Sequence, residues 1–191
     1  MIVGVGVEGP SDLQFWNKVL HKHFRGMRFD IRNMKNRDKL IRATPDLSDE
    51  FRSLKRAAGF IILDADQDPC VSSLLDCFDS AIRAEFQRSE SRYLHLCVAF
   101  KRIECWYLAD AAAVVAAIPG AAWQPPADTA TCNGKTDIKK LLQSRARSPV
   151  GYNEIEFARS IAPKFSPVRA RGRSASFRYC WDRIETACRK D

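Results

Sequence analysis

Glu8, Asp64, Asp66 and Glu104 are the residues whose types and positions could do chemistry together. They are scattered along the chain, yet each follows a short apolar stretch. Glu8 ends Ile2 to Val7, Asp64 and Asp66 end Phe60 to Leu63, and Glu104 comes just after Tyr93 to Phe100. If these stretches are strands of one parallel sheet, their C-terminal ends share an edge, which is where such sheets place their sites. Carboxylates gathered in a half-buried crevice repel one another by several kcal/mol unless a cation neutralises them. Hard oxygen donors of this kind suit Mg²⁺ or Mn²⁺. Singly, each acid has a plainer use: Glu8 as a helix cap or a lysine's partner, the aspartates as turn residues, Asp68 as a turn before Pro69. The joint pattern carries the reading.

The elements that must position these acids follow from hydrophobic periodicity. Ile2 to Val7 is apolar on nearly every residue, as a strand covered on both faces is. Ser11 is a good N-cap, and Leu13, Trp16, Val19, Leu20 and Phe24 follow at helical spacing. Phe29 to Met34 is a second strand, and Asp46 to Ala58 is a charged surface helix entered near Pro45. Phe60 to Leu63 is the third strand, followed by one long amphipathic helix over Val71 to Gln87. Tyr93 to Phe100 is the fourth strand and Ile103 to Ile118 the next helix. The order βαβαβαβα predicts an α/β fold, a mostly parallel four-stranded sheet flanked by helices. Residues 1–118 form this core. Residues 119–134, with the chain's one Pro-Pro pair, form a linker. Residues 135–191 form a basic helical segment packed on the core, with helices near Thr136 to Arg145, Glu154 to Ile161 and Ser174 to Arg189.

Charge is unevenly divided. Residues 1–134 carry 17 basic and 17 acidic side chains, and residues 135–191 carry 14 and 6, so the whole net charge of +8 lies in the last third. A basic segment beside a neutral body suits a polyanionic partner, with a merely solvated face as the plainer alternative. The 191 residues allow one ordinary domain. No apolar stretch approaches the ~20 residues that cross a bilayer, and no signal-peptide pattern opens the chain, so a cytoplasmic protein is expected. Seven cysteines without a CxxC pair point to reduced, mostly buried thiols, and with His21, His23 and His95 they lack the spacing of a zinc site. Gly4, Gly6 and Gly9 spell GxGxxG, with Asp30 about 20 residues on. Only Met1 to Val3 precede Gly4, too few for the strand that a dinucleotide fingerprint follows.

Three stretches together, VEGPSD (Val7 to Asp12), LDAD (Leu63 to Asp66) and RIECWYLAD (Arg102 to Asp110), resemble TOPRIM domains. The likeness is to the OLD-nuclease type and to the small stand-alone TOPRIM-like domain-of-unknown-function 4276 family. It spans Ile2 to about Asp110 and, more loosely, YNEIEFARSI and SASFRYCW near the C-terminus. The resemblance implies a Rossmann-like TOPRIM sheet in which Glu8, Asp64 and Asp66 serve acid/base and Mg²⁺ chemistry, with Asp12 and Glu104 completing a two-metal site. The lysine of the OLD type falls on Lys101, Lys135 or Lys139, with Lys135 carried as the catalytic candidate.

The function expected is a Mg²⁺-dependent (or Mn²⁺-dependent) phosphodiester hydrolase, a nuclease of DNA or RNA. Lys139, Lys140, Arg169, Arg171 and Arg173 are expected to hold the nucleic-acid backbone. The resemblance further implies an ABC-type ATPase partner in phage defence. Two alternatives remain: a catalytically inactive TOPRIM-like nucleic-acid-binding or regulatory subunit, and an Asp-x-Asp enzyme acting on phosphate esters or nucleotide sugars. A haloacid-dehalogenase-type phosphatase would carry its Asp-x-Asp after the first strand rather than the third. The chain has no room for the further domains of a topoisomerase or primase.

Overall fold

A computed structural model describes residues 2–55, 58–66, 68, 70–87, 93–144 and 151–189. Strands β1 (Ile2–Val7), β2 (Arg28–Asn33), β3 (Gly59–Asp64) and β4 (Leu94–Ala99) form one all-parallel sheet in the order β2-β1-β3-β4. The direction of winding reverses between β1 and β3, so the crevice at their C-terminal ends is the topological switch point of this Rossmann-like fold.

Two cores cover the two faces. Val3, Val5, Val7, Phe60 and Ile62 point into the larger one, and Ile61 and Leu63 into the smaller, as the two-residue period of strands requires. The smaller core is closed by α2 (Arg37–Ser53), α3 (Val71–Leu75) and α4 (Ser80–Gln87). From Val3 to Val7, β1 presents only glycines to this face, Gly4 and Gly6. Gly4 is paired in register with Gly59, and the Phe51 ring of α2 lies on both: a Cβ at Gly4 would stand 2.6 Å from it. The glycine pattern therefore lets a helix approach the sheet, and Gly4 and Gly6 lie inside a strand rather than in a phosphate-binding turn. Asp30 pairs with Arg32 instead of a ribose.

The larger core holds α1 (Pro10–His23), α5 (Ile103–Leu108), α6 (Ala111–Ala117), α7 (Lys135–Gln143), α8 (Glu154–Ile161), α9 (Pro167–Ala170) and α10 (Ala175–Cys188). Phe15 of α1 meets Tyr107 at 4.7 Å and Phe165 at 5.0 Å between ring centroids. The C-terminal helices thus share one core with α1. Residues 119–134 are tied down as well: Trp123 donates to the Leu108 carbonyl at 2.8 Å, and a 3-10 turn at Thr129–Thr131 is fixed by the Thr129 amide on the Arg173 carbonyl.

Helix boundaries differ from the sequence reading where polar side chains intervene. Helix α1 is capped by Gly9 rather than Ser11, with Pro10 in its first turn and the Asp12 carboxylate accepting the Gly9 amide. Helix α2 starts at Arg37 because the Asn36 side chain accepts from the Lys39 amide, which leaves Pro45 inside the helix. The expected helix over Val71 to Gln87 is broken into α3 and α4, with Asp79 accepting from the Ile82 amide at the start of α4. Asp110 likewise accepts from the Ala113 amide and divides α5 from α6. Arg145, the expected end of α7, lies outside the described residues. Of the seven thiols, Cys97, Cys105, Cys132 and Cys180 are buried, Cys70 and Cys77 exposed, and Cys188 partly buried.

Candidate active site: a carboxylate cleft with a basic rim

The C-terminal edge of the sheet opens into a cleft of about 710 Å³. Glu8, Asp12, Asp64, Asp66, Glu104 and Lys135 all line it. Six residues from four separate stretches of chain meet because β1, β3 and β4 end at one edge and α1, α5 and α7 begin there.

Backbone amides position the carboxylates of Glu8, Asp12 and Asp64, and a tyrosine hydroxyl positions that of Glu104. Glu8 Oε1 accepts the Asp64 amide at 2.6 Å, which ties the end of β1 to the end of β3. Asp64 Oδ1 accepts the Ile103 amide at 2.8 Å in the first turn of α5. Asp12 Oδ2 accepts the Gly9 amide at 2.9 Å, and Glu104 Oε1 accepts the Tyr152 hydroxyl at 2.9 Å. Gly134, at a φ of +46° that an L side chain rarely adopts, brings the start of α7 against Glu104. Asp66, also at positive φ, donates its amide to the Lys101 carbonyl at 2.7 Å.

The acids load one another. Burial, opposed by the Asp64 amide and reinforced by the charges of Asp12 and Asp66, pushes Glu8 up to about 7. Burial and the charges of Glu104 and Glu154, opposed by the Gly9 amide and Lys135, push Asp12 up to about 7. Asp64 is raised well above the usual carboxylate range by burial and then by Glu8, Asp12, Glu104 and Asp66. Glu104 is raised by burial, against the pull of Lys135. Among the described ion pairs, none involves Glu8, Asp12, Asp64 or Glu104; the cations of the cleft pair instead with acids on its rim. Lys135 Nζ meets Glu154 at 2.5 Å, Arg102 meets Asp66 at 3.2 Å, and Arg37 is bonded to Asp68. Asp68 is therefore more than a turn residue.

Hard oxygen donors, half-buried or buried, held by backbone amides and short of positive charge, match the donor set of a small divalent cation. Among the described residues no three acidic, thiol or imidazole groups already stand as one closed metal shell, so a cation would have to draw the carboxylates together.

Other expected site residues lie elsewhere. Lys101 turns away, donating to the Cys132 carbonyl at 3.1 Å. Lys139 and Lys140 are exposed along α7 beyond Lys135 and do not line the cleft. Arg169 grips the fully buried Asp110 with two bonds, of 2.6 and 2.9 Å. Arg171 stands 3.7 Å from both Asp182 and Glu185, and Arg173 is exposed. Conversely, Lys35, Arg37, Arg102, Tyr152 and Glu154 line the cleft without having been singled out from sequence. Asn153, which caps α8 by accepting from the Ile155 and Glu156 amides, was the available signal that a helix starts there.

Fold and site together define a parallel α/β protein with a carboxylate cleft at its switch point and a basic rim. Residues 7–185 match the family described as Domain of unknown function (DUF4276), and the chain belongs to that family. No curated protein and no solved structure matches it.

Proposed function

We propose that the chain is a divalent-metal-dependent phosphodiester hydrolase, a nuclease of the TOPRIM type that the sequence resembles. The observation that carries this reading is the meeting of Glu8, Asp12, Asp64, Asp66 and Glu104 in one cleft with raised carboxyl pKa values and Arg37, Arg102 and Lys135 on its rim. Glu8, Asp64 and Asp66 would hold Mg²⁺ or Mn²⁺ near β1 and β3, and Asp12 and Glu104 would hold a second ion near α1 and α5. Bound there, the ion supplies Lewis-acid polarisation of a phosphoryl oxygen and lowers the pKa of an attacking water.

The protein's own groups do the rest. Backbone amides at Asp64, Ile103 and Gly9 fix which carboxylate oxygen faces inward. The Tyr152 hydroxyl holds Glu104 in place. Lys135 stands at the mouth, where an ammonium offsets the charge that develops on the leaving oxygen once Glu154 releases it. The same resemblance supports an ATPase partner in phage defence, and cysteines without a CxxC pair support a reducing, cytoplasmic setting.

The test is cleavage of labelled DNA and RNA by purified protein in Mg²⁺, Mn²⁺ or EDTA. Cleavage should require the cation and fall by at least about 100-fold in Glu8→Gln, the scale of losing a main electrostatic contributor. Cleavage that persists in EDTA, or survives Glu8→Gln, rejects the assignment.

A further inference from the structure

Two arginines reach the cleft from opposite edges of the sheet. Arg37 opens α2 behind edge strand β2, and Arg102 caps α5 behind the other edge strand, β4. With Asp66 and Asp68 they line a side depression of about 420 Å³. Arg37, Arg102 and Asp66 also line the acidic cleft, so the depression opens into it. Each guanidinium is held by one carboxylate of the loop that follows β3: Arg37 by Asp68 and Arg102 by Asp66 at 3.2 Å.

A polyanion entering a cleft of five carboxylates needs cationic contacts close by. A guanidinium offers a planar fork that matches two phosphate oxygens. The Arg102–Asp66 pair, at 3.2 Å with the Arg102 side chain 41% exposed, is open enough for a phosphate to compete for Arg102. Asp66 also belongs to the carboxylates that a divalent cation would gather, and it cannot fully serve both partners.

We propose that Arg37 and Arg102 form a phosphate subsite beside the acidic cleft, taking the backbone phosphate next to the one at the carboxylates, and that Asp66 masks Arg102 until a divalent cation draws it away. This rests on reading the cleft as a metal-dependent phosphodiesterase site. Cation and nucleic acid then bind cooperatively, each raising the other's affinity by the same factor. Arg37 and Arg102 are positioning residues rather than acid/base groups.

The experiment is fluorescence anisotropy of a short labelled single-stranded oligonucleotide, in DNA and RNA forms, with Ca²⁺ or EDTA. Calorimetric titration of Ca²⁺ into the protein alone accompanies it. Affinity should rise about 10-fold or more from EDTA to Ca²⁺, the scale of one or two charge-assisted phosphate contacts. Arg102→Gln should abolish most of that rise and should cost less affinity in EDTA, where Asp66 competes for the guanidinium, than in Ca²⁺. Asp66→Asn should raise the EDTA affinity, and the double variant Asp66→Asn with Arg102→Gln should lose that gain. Arg37→Gln, on the other side of the depression, should weaken binding in Ca²⁺ as well. A Ca²⁺-dependent rise intact in Arg102→Gln, or a double variant that keeps the gain, overturns the subsite while calorimetry still shows the cation bound. Absence of cation binding by the native chain overturns the reading of the cleft itself.

Discussion

Asp64→Asn should make the metal-free protein more stable, although Asp64 is among the more buried polar groups of the cleft. The substitution keeps an oxygen that can accept the Ile103 amide and removes one charge facing Glu8, Asp12, Glu104 and Asp66. The size follows from its neighbour. A glutamate moved from 4.5 to about 7 carries roughly 3 kcal/mol of ionisation penalty above pH 7, part of it burial and part repulsion. Asp64 stands under burial and four like charges of its own, so replacing its carboxyl, less a weakened hydrogen bond to the Ile103 amide, leaves a net gain of about 0.5–2 kcal/mol at a pH where Asp64 would otherwise be ionised. For a chain of this length that is a rise in Tm of roughly 1–8 °C.

The pH dependence of this gain has a definite sign. The raised carboxyls bind protons in the folded state at pH values where the unfolded chain has released them, so their contribution to stability falls as pH climbs from about 4.5 to about 7. The advantage of the Asp64→Asn variant over the native chain should therefore shrink as pH falls and the raised Asp64 carboxyl takes up its proton. Cation should reverse the order: Mg²⁺ at 100 times its Kd stabilises the native chain by about 2.7 kcal/mol and the variant by much less. Thermal melts at pH 5 and 8, in EDTA and in Mg²⁺, give all four comparisons. A variant melting well below the native protein in EDTA at pH 8 would show that Asp64 holds the fold together, and the like-charge argument would fail.

Glu8→Gln should flatten the fall in stability between pH 4.5 and 7 in EDTA, read by urea denaturation; an unchanged slope would mean that Glu8 is not the raised group. Arg169→Ala should cost about 2–4 kcal/mol, because it leaves the buried Asp110 uncompensated. It should be read as lost stability, whereas charge reversal at Arg173 should lower the salt slope of nucleic-acid binding by roughly one if that side chain meets a phosphate. Gly4→Ala should cost about 1–3 kcal/mol by driving a methyl into the Phe51 ring, and Phe51→Leu in the same chain should restore part of it in chemical denaturation.

The strands were legible because β1, β3 and β4 are covered on both faces and so read as nearly continuous apolar runs, broken in β4 only by His95. The meeting of Glu8, Asp64, Asp66 and Glu104 was legible for the same reason: once the strands are parallel, their ends must share an edge. Helix limits were harder to read. Asp79 and Asp110 interrupt apolar periodicity only as single polar residues, yet each satisfies a helix amide and starts a new helix. The basic rim was hidden because Arg37 and Arg102 stand at the starts of α2 and α5, where charge alone does not reveal a site, and Tyr152 and Glu154 reach the cleft only through the docking of α8 on α1. Arg169 shows the limit of charge counting. Its partner lies 59 residues away, and a run of arginines does not reveal which of them is already engaged.

The central claim is that five carboxylates meet in this cleft to receive a divalent cation. Titration of Mn²⁺ into the purified protein, with free Mn²⁺ followed by electron paramagnetic resonance, tests it most directly. Saturable binding by the native chain, competed by Mg²⁺ and lost or weakened at least about 10-fold in Asp64→Asn, is the predicted result. No binding, or equal binding by both proteins, would contradict it.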